Sequence, residues 1–292
     1  MEITAVNALL CPHCGQGFNA PKQGGSSMSC LAGHSFDIAR QGYVNLLTGS
    51  GTKFVPDSSE MVAARDSFLE AGHFQGLADA LAEKVTAHLR SADEDSTLIV
   101  DAGTGTGWYL QEVLAATAQA GQSPAAVGLD ISKFALRRAA RRNPDAANIV
   151  WDLWRELPLG AKLADVVLVI FAPRNASEFA RILKPGGTLL IVTPLPQHLG
   201  EIAADAGMLG IQVDKETALV QSLAEDFELV DSTELLLPLE LSPTDVAHVA
   251  FMGPAGHHAK AEELAQRLTQ LPQKTPATAA FRISAFSARR SS

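Results

Sequence analysis

The 292-residue sequence has no long hydrophobic run. No stretch approaches the roughly 18 uninterrupted apolar residues of a membrane-spanning helix, so no membrane association is expected. The first residues show no basic segment followed by a long apolar run, which argues against a secretory signal. Only three cysteines are present, too few for a disulfide scaffold of this length. We therefore expect a soluble, cytoplasmic protein.

Positive charge is also scarce. The chain carries 23 lysines and arginines against 32 aspartates and glutamates, a formal net charge of −9. This balance excludes the simplest electrostatic route to nucleic acid, which is a positive field over the whole surface. A local basic face is still allowed. Any binding of nucleic acid must therefore come from specific modules.

The composition divides the chain into three regions. Residues 1–47 contain all three cysteines, and residues 48–95 hold two amphipathic helical patterns. After a polar link at residues 91–96, residues 96–292 alternate short apolar runs with helical patterns, which is typical of βαβ units and a parallel sheet. We therefore predict a small N-terminal module, a helical linker and an α/β domain with a mixed, mostly parallel sheet.

Seven strands are predicted in the α/β domain. They cover Thr97–Asp101, Ala126–Asp130, Asn148–Trp151, Asp165–Phe171, Thr188–Thr193, Phe227–Leu237 and Phe281–Ser287. The sequence KPGG at residues 184–187 predicts a helix end and a turn into the fifth strand.

In the linker region, Ser58 or Ser59 is suited to cap the first helix. The second helix repeats apolar residues four apart. They are Leu77, Leu81, Val85 and Leu89. Such a stripe belongs either to the core or to an exposed homodimer face.

The cysteines follow the spacing of a metal site. Cys11 and Cys14 form a C-x2-C pair, and Cys30 and His34 form a C-x3-H pair after a longer insert. Two short-spaced pairs are how a chain places four ligands around Zn²⁺. The alternatives are buried cysteines with an unrelated histidine, or His13 as the fourth ligand. Three cysteines and one histidine leave no open coordination position, so the zinc is expected to be structural.

The most informative segment is LIVDAGTGTGWYLQEVL. An apolar strand ends at Asp101, and Gly103, Gly105 and Gly107 follow at alternate positions before a helical pattern. Such glycines let a backbone turn sharply against a ligand. A dinucleotide fingerprint would need glycine where Trp108 stands, and no Gly-Lys-Ser/Thr follows for a P-loop. The spacing is instead that of class I (Rossmann-like) S-adenosylmethionine-dependent methyltransferases, although a glycine-rich turn that binds nothing is the plainer alternative.

Acidic residues end the next two predicted strands. Asp130 stands where such folds accept hydrogen bonds from ribose hydroxyls, and Asp152 is close to where they hold adenine. Carboxylates such as Asp101 and Asp130 also favour a cationic sulfonium ligand. At the end of the fourth strand, Phe171 and Pro173 of IFAPRN serve either substrate contact or strand-end packing.

These residues resemble the bacterial 23S rRNA (guanine-N1)-methyltransferases of the RlmA type, which include the tylosin-resistance methyltransferase. The resemblance spans Cys11 to Leu199. It is carried by CPHC, CLAGHSFDIARQGYVNLL, EMVAARDSFLEAGHF, DAGTGTGW, LDISK, FAPRNASEFARILKPGG and TPLPQHL. It implies methylation of N1 of one guanosine in a hairpin loop of 23S rRNA, a zinc module that takes part in RNA recognition, and a contribution to macrolide resistance.

The resemblance also implies site residues. The four zinc ligands match those of the family, and its cofactor contacts match Gly105, Thr106 and His198. A further contact is a tyrosine in the family and is Phe74 here, so the ring is kept and the hydroxyl is lost. The C-terminal AFMGPAGHHAK is closer to the tylosin-resistance branch, and the two branches modify neighbouring guanosines.

RNA contacts and the base that removes the guanine N1 proton are less defined. Candidate stacking residues, each of which could instead serve packing, are Tyr43, Trp108 and Trp154. One predicted helix concentrates five cations, at Lys133, Arg137, Arg138, Arg141 and Arg142. These form either an RNA face or a solvated helix face, and Arg40 and Lys53 are the alternatives near the zinc module. His198 and Asp152 are possible bases but are better suited to cofactor contact.

Two other functions fit the same motifs. One is a class I methyltransferase that acts on a small molecule or another RNA, with zinc serving only structure. The other is a zinc-dependent RNA-binding protein that has lost catalysis, against which the intact glycine loop and Asp130 argue.

Overall fold

The computed structural model describes residues 1–20, 25–49, 51–90, 96–208, 215–253, 256 and 261–289. Most of the predicted link at 91–96 and part of AFMGPAGHHAK lie outside these residues. Within them, no helix combines the length and apolar character needed to cross a membrane.

The described residues form ten helices and ten strands. The strands are β1 Ser27–Ser29, β2 Ser35–Asp37, β3 Val44–Asn45, β4 Leu98–Ala102, β5 Ala125–Asp130, β6 Ala147–Val150, β7 Ala164–Ile170, β8 Leu183–Pro194, β9 Phe227–Leu241 and β10 Thr275–Ala288. The helices are α1 Ile3–Asn7, α2 Ser59–Glu70, α3 Gln75–Arg90, α4 Trp108–Gln119, α5 Lys133–Arg142, α6 Ala176–Ile182, α7 Gly200–Ala206, α8 Lys215–Leu223, α9 Pro243–Phe251 and α10 Ala261–Leu268.

The main sheet has eight strands in the order β3-β6-β5-β4-β7-β8-β10-β9. Neighbours from β3 to β8 are parallel, and β10 is antiparallel to both of its neighbours. The predicted α/β fold with a mostly parallel sheet is thus confirmed, with all seven predicted strands present. The N-terminal segment adds the eighth, the two-residue β3, at the edge beside β6.

Strands β4 and β7 lie at the centre because their residues are apolar almost throughout. Every residue of β4 and of β7 is buried, as expected when helices cover both faces of a parallel sheet. The stripe of leucine and valine on α3 belongs to this core, since Leu77, Leu81 and Val85 are fully buried. It therefore provides no exposed dimer face, and a homodimer remains a prediction.

The KPGG segment departs in detail from the predicted turn. Helix α6 does end just before it, but residues 184–187 form the irregular start of β8 rather than a separate turn. The register shifts here, since Ala164 pairs with Leu183 whereas Val166 pairs with Thr188. Three extra residues in β8 therefore bulge out of the ladder, and Gly186 accommodates this with a φ of 86°.

The N-terminal module packs directly on the α/β region that begins at residue 96. Leu9 bridges to Leu159, and the Leu10 N–H donates to the carbonyl of Pro158 at 2.9 Å. The Gly160 N–H donates back to the carbonyl of Ala8 at 3.0 Å. These backbone bonds, together with β3, fix the module on the sheet edge next to β6.

Candidate functional site

The four predicted zinc ligands converge. Their ligand atoms, from Cys11, Cys14, Cys30 and His34, lie within 4.8 Å of one another. The Cys14 and Cys30 sulfurs are 3.8 Å apart, and the His34 Nδ1 lies 3.4 Å from the Cys30 sulfur and 3.7 Å from the Cys11 sulfur. A tetrahedral zinc with ordinary bond lengths holds two sulfurs about 3.8 Å apart and a sulfur and a nitrogen about 3.6 Å apart. The donor set therefore fits zinc in type and in spacing.

His13 is not part of this cluster. Its ring stacks at 5.7 Å on Phe36, tilted by 19°. Gly15, which follows Cys14, has a φ of 69°, and Gly33, which precedes His34, has a φ of 86°. Glycine adopts these values without strain, so each tight turn can bring its two ligands together. The cluster thus forms where two tight turns face each other, as the spacing of the cysteines predicts.

The glycine loop connects β4 to α4 at the point where the sheet reverses its strand order. The chain runs from β4 to β5 and β6 on one side and returns to β7 on the other. Open α/β sheets bind their ligands in the crevice at such a switch point, beyond the carboxyl ends of the strands. The N–H groups of Gly103 and Thr104 both donate to the Leu129 carbonyl, at 2.8 and 2.9 Å. The loop is therefore held against the end of β5.

The glycines of this loop serve different needs. A Cβ on Gly103 would lie 2.3 Å from the Cβ of Ala172, so close packing demands glycine there. Gly107 is similarly confined, since a Cβ would lie 2.9 Å from Ala139. Gly105 has a φ of 55°, but its Cβ position meets nothing within 4 Å. Its open side is where the loop can receive a ligand.

Three buried side-chain oxygens around the loop have no hydrogen-bond partner among the described residues. They are the Asp101 Oδ1, the Thr104 Oγ1 and the Thr106 Oγ1, all in side chains that are nearly inaccessible. Burial raises the pKa of Asp101 to about 7, and the nearby carboxylate of Asp130 raises it further. Buried polar atoms are normally hydrogen-bonded. These orphaned groups beside an open glycine therefore fit a polar, cationic cofactor.

Asp130 lies at the carboxyl end of β5, next to the loop. Its Oδ2 accepts the Gly105 N–H at 2.9 Å, and its Oδ1 accepts the Ser132 N–H at 2.8 Å. Burial raises the pKa of this carboxyl group, whereas the two N–H groups lower it. A carboxylate accepts more than two hydrogen bonds, so Asp130 can still bind a diol.

Asp152, at the next strand end, is already engaged. Its Oδ2 accepts the Thr52 hydroxyl at 2.8 Å, and its Oδ1 accepts the Trp154 N–H at 3.0 Å. The side chain is only 5% exposed. Its first role is therefore to join two loops.

His198 and Phe74 share an aromatic cluster. The Ala280 N–H donates to the His198 Nδ1 at 3.1 Å, and burial lowers the pKa of His198 to about 4. The ring is therefore neutral near pH 7 and carries its proton on Nε2. Phe74 is buried and packs edge-on against Phe68 and Phe281, with its centroid 6.0 Å from that of His198. The ring of Phe74 thus has a packing role that needs no hydroxyl.

The predicted stacking residues separate into two kinds. Tyr43 packs against α5 and Trp108 is 5% exposed, so both serve packing. Trp154 is 54% exposed in the loop after β6. Phe171, at the tip of β7, is 47% exposed and has a φ of 56°, a strained conformation for an aromatic residue. Strand-end packing alone does not account for Phe171.

The basic helix α5 is only partly a solvated face. The Arg142 Nη1 donates to Asp66 at 3.0 Å and to the Thr106 carbonyl at 2.9 Å, and Arg138 donates to Asp66 at 2.7 Å. Arg142 also contacts Glu70. These two arginines therefore bind α2 and the glycine loop. The exposed cations of the helix are Lys133, Arg137 and Arg141.

The chain matches two family models. Residues 9–49 match the model for the N-terminal domain of RlmA, a zinc ribbon, and residues 99–187 match a methyltransferase domain. A 23S rRNA (guanine(748)-N(1))-methyltransferase of Streptomyces fradiae is 42% identical over 93% of this chain and 94% of its own length. The chain belongs to the 23S rRNA (guanine-N1)-methyltransferase family. The zinc ribbon and the S-adenosylmethionine-dependent methyltransferase fold are features of this family, as the resemblance implied.

Two more comparisons concern another relative and a solved structure. A protein of Micromonospora griseorubida, described as a 23S rRNA guanine-N1-methyltransferase without a numbered position, is 42% identical over 95% of this chain and 96% of its own length. The methyltransferase solved with the Haloferax volcanii Trm112 activator shares 18% identity, covering 82% of this chain and all of that one with a TM-score of 0.50. That likeness supports the fold alone.

Sequence reasoning did not find Thr52 and Asn175, and it named Arg142 only as a candidate cation of an RNA or solvated face. All three form hydrogen bonds to residues at least 20 positions away. Asn175 donates to the carbonyls of Leu153 at 2.9 Å and Arg155 at 3.3 Å. No local pattern marks such contacts, because they depend on how the loops meet at the edge of the sheet.

Proposed function

We propose that this protein transfers a methyl group from S-adenosylmethionine to N1 of a guanosine in a hairpin loop of 23S rRNA, at the position equivalent to guanine 748. One observation carries the proposal. An open glycine loop beside Asp130 and a four-ligand zinc cluster occur in one chain that is 42% identical over 93% of its length to the Streptomyces fradiae enzyme named for that guanine. A cytoplasmic location and a contribution to macrolide resistance remain predictions.

Within this function, we assign cofactor binding to the crevice at the ends of β4 and β5. The backbone of residues 103–107 would lie against the methionine part, and Asp130 would bind the ribose hydroxyls. Asp101 would face the positive charge of the cofactor. The bound cofactor supplies the electrophilic methyl group, so the protein has mainly to orient its partner and exclude water.

Three further residues belong to this assignment. The neutral His198 would donate a hydrogen bond from Nε2, since its Nδ1 already accepts the Ala280 N–H. Phe74 would support the His198 ring through the aromatic cluster. Asp152 would approach the adenine only with the lone pairs left free by Thr52 and Trp154.

Neither of the two residues considered as a base suits that role. The His198 Nδ1 is engaged, and its other nitrogen carries the proton in the neutral ring. Both carboxylate oxygens of Asp152 accept hydrogen bonds from the protein. The guanine N1 proton must leave for methyl transfer to occur. His198 and Asp152 are therefore assigned to positioning rather than to proton removal.

The test is methylation of an unmodified 23S rRNA transcript, mapped by primer extension. An N1-methyl group blocks base pairing, so reverse transcription should stop one nucleotide before guanine 748. The control is a transcript with adenine at this position, which should accept no label there. A stop at a neighbouring guanosine would reassign the nucleotide. If labelled methyl groups appeared in small molecules but not in RNA, the small-molecule methyltransferase would be supported. If the protein bound S-adenosylmethionine but transferred no methyl group, the RNA-binding protein without catalysis would be supported.

A further inference from the structure

Two exposed aromatic rings, of Phe54 and Trp154, lie against each other at the surface. The centroids of Phe54 and Trp154 are 6.4 Å apart, and their planes are tilted by 32°. Phe54 is 40% exposed and Trp154 is 54% exposed. Large exposed apolar groups that are grouped in this way commonly mark a binding surface.

A single buried carboxylate holds both rings in place. The Asp152 Oδ2 accepts the Thr52 hydroxyl at 2.8 Å, and the Phe54 N–H in turn donates to the Thr52 Oγ1 at 3.2 Å. The Asp152 Oδ1 accepts the Trp154 N–H at 3.0 Å. Arg155 strengthens the junction by donating to the carbonyls of Thr48 and Gly51. The segment that follows the zinc ribbon is therefore fixed to the loop after β6, and each contributes one ring.

The loop that carries Trp154 packs close to the glycine loop. The Cβ position of Gly103 is 2.3 Å from the Cβ of Ala172 and 3.9 Å from the Cδ1 of Leu153. Asn175 donates to the carbonyls on either side of Trp154 and so joins the loop after β6 to the loop after β7. The loop of Trp154 is therefore held next to the glycine loop, to which cofactor binding is assigned.

Positive charge accompanies the rings. Arg174, which lies between Ala172 and Asn175 on the second loop, is exposed and forms no hydrogen bond or ion pair with any other described residue. The Lys53 Nζ lies 5.5 Å from the centre of the Phe54 ring. On a chain of net charge −9, cations placed beside exposed rings suit a ligand that is both planar and anionic. Single-stranded RNA has both properties, since its bases stack on aromatic rings and its phosphates bind cations.

We propose that Phe54, Trp154 and Arg174 form the site that receives the RNA loop, with an unpaired base stacked on Trp154 and a phosphate bound by Arg174. This inference rests on the proposed function. Asp152 is then the positioning residue of the site.

The chain offers a matched control on helix α5. Phe134 is 40% exposed, as is Phe54, and the guanidinium carbon of Arg137 lies 5.3 Å from its ring centre. The two rings thus match in exposure and in their cation, but Phe134 is on helix α5 and not on either of the two segments that Asp152 joins. Tryptophan fluorescence gives a direct readout, because Trp108 and Trp151 are each 5% exposed and only Trp154 is exposed. Quenching by RNA will therefore report mainly on Trp154.

The experiment compares F54A, W154A, W154F, R174Q and F134A, using a hairpin from 23S rRNA and the holo protein. We expect F54A and W154A to weaken RNA binding and raise the KM for RNA by about 5- to 100-fold, the usual range for one stacked base. R174Q should also weaken RNA binding and make it less dependent on salt, because one phosphate contact is lost. W154F should recover most of the loss, and F134A should stay within about twofold of the wild type. Affinity for S-adenosylmethionine should change little in all five variants.

Several results would overturn the inference. One is an unchanged KM for RNA in W154A, and another is an equal loss of RNA affinity in F134A and F54A. The others are the absence of Trp154 quenching by RNA, and a fall in S-adenosylmethionine affinity large enough to explain the loss of RNA affinity. A wild-type protein that binds and quenches with the hairpin but never methylates it would instead contradict the proposed function alone. The experiment therefore distinguishes failure of the proposed RNA site from failure of the proposed methyltransferase function.

Discussion

The zinc ribbon and the α/β region of this chain are stabilised in different ways. The ribbon buries few large side chains, chiefly Phe18, Met28 and Phe36, and its centre is the cluster of four metal ligands. The strands β4 and β7 are buried along their whole length between layers of helices. A region with a small core of its own depends on coordination, whereas a region with a large core is stabilised mainly by the apolar surface that it buries.

The largest effect is expected from the loss of one zinc ligand. In His34→Ala, the cluster keeps only three thiols, so zinc affinity should fall by about 100-fold or more and the ribbon should lose its fixed structure. Because the ribbon leads into the segment that carries Phe54, methylation of RNA should be nearly abolished. Binding of S-adenosylmethionine should change by no more than a few fold. Metal content by mass spectrometry, RNA methylation and calorimetry would check the three parts.

His13→Ala is the matched control, since this histidine lies beside the cluster but outside it. It should retain one zinc per chain. If His34→Ala kept its metal while His13→Ala lost it, the fourth ligand would be wrongly assigned. If both variants remained folded and active without zinc, coordination would not be what stabilises the ribbon.

The same difference explains what the sequence could predict. The zinc ligands and the glycine loop were found because each depends on spacings of a few residues, which a linear pattern records. Strands β4 to β7 followed from apolar runs that burial on both faces requires, whereas the edge strand β9 is mostly exposed. The bond between Thr52 and Asp152 joins residues 100 positions apart, and the pairing of Arg142 with Asp66 spans 76. Both depend on packing, so the sequence indicated neither bond. It left α5 as either an RNA face or a solvated face, and the adenine contact of Asp152 stays a prediction.

An intermediate effect is expected from pH at the cofactor site. The pKa of Asp101 is raised to about 7 because the group is buried, so it is largely protonated below pH 7 and negative above it. A cationic cofactor favours the negative form, so affinity should be highest above pH 7. It should fall by up to about tenfold for each pH unit below 7. Calorimetric titration with S-adenosylmethionine from about pH 5.5 to about pH 8.5 would measure this slope.

Asp101→Asn should bind the cofactor weakly and with little dependence on pH over the same interval. His198 does not titrate there, since its pKa is lowered to about 4. A slope that persisted in Asp101→Asn would assign the titration to another group, with Asp130 as the next candidate because burial raises its pKa as well.

The smallest effect is expected from an ion pair within the large core region. Asp66 accepts hydrogen bonds from Arg138 and Arg142 and joins α2 to α5, with its side chain 16% exposed. Asp66→Ala should lower the free energy of unfolding by about 1–2 kcal/mol, because partly buried charged hydrogen bonds contribute more than exposed ones. The exposed pair of Lys274 and Glu240 is the matched comparison, and Glu240→Gln should leave the free energy of unfolding almost unchanged. Urea denaturation would measure the free energy of unfolding of both variants.

If Asp66→Ala unfolded the α/β region as completely as zinc loss unfolds the ribbon, the packed core would not be the main source of stability of the α/β region. The two regions would then share a dependence on a few polar contacts.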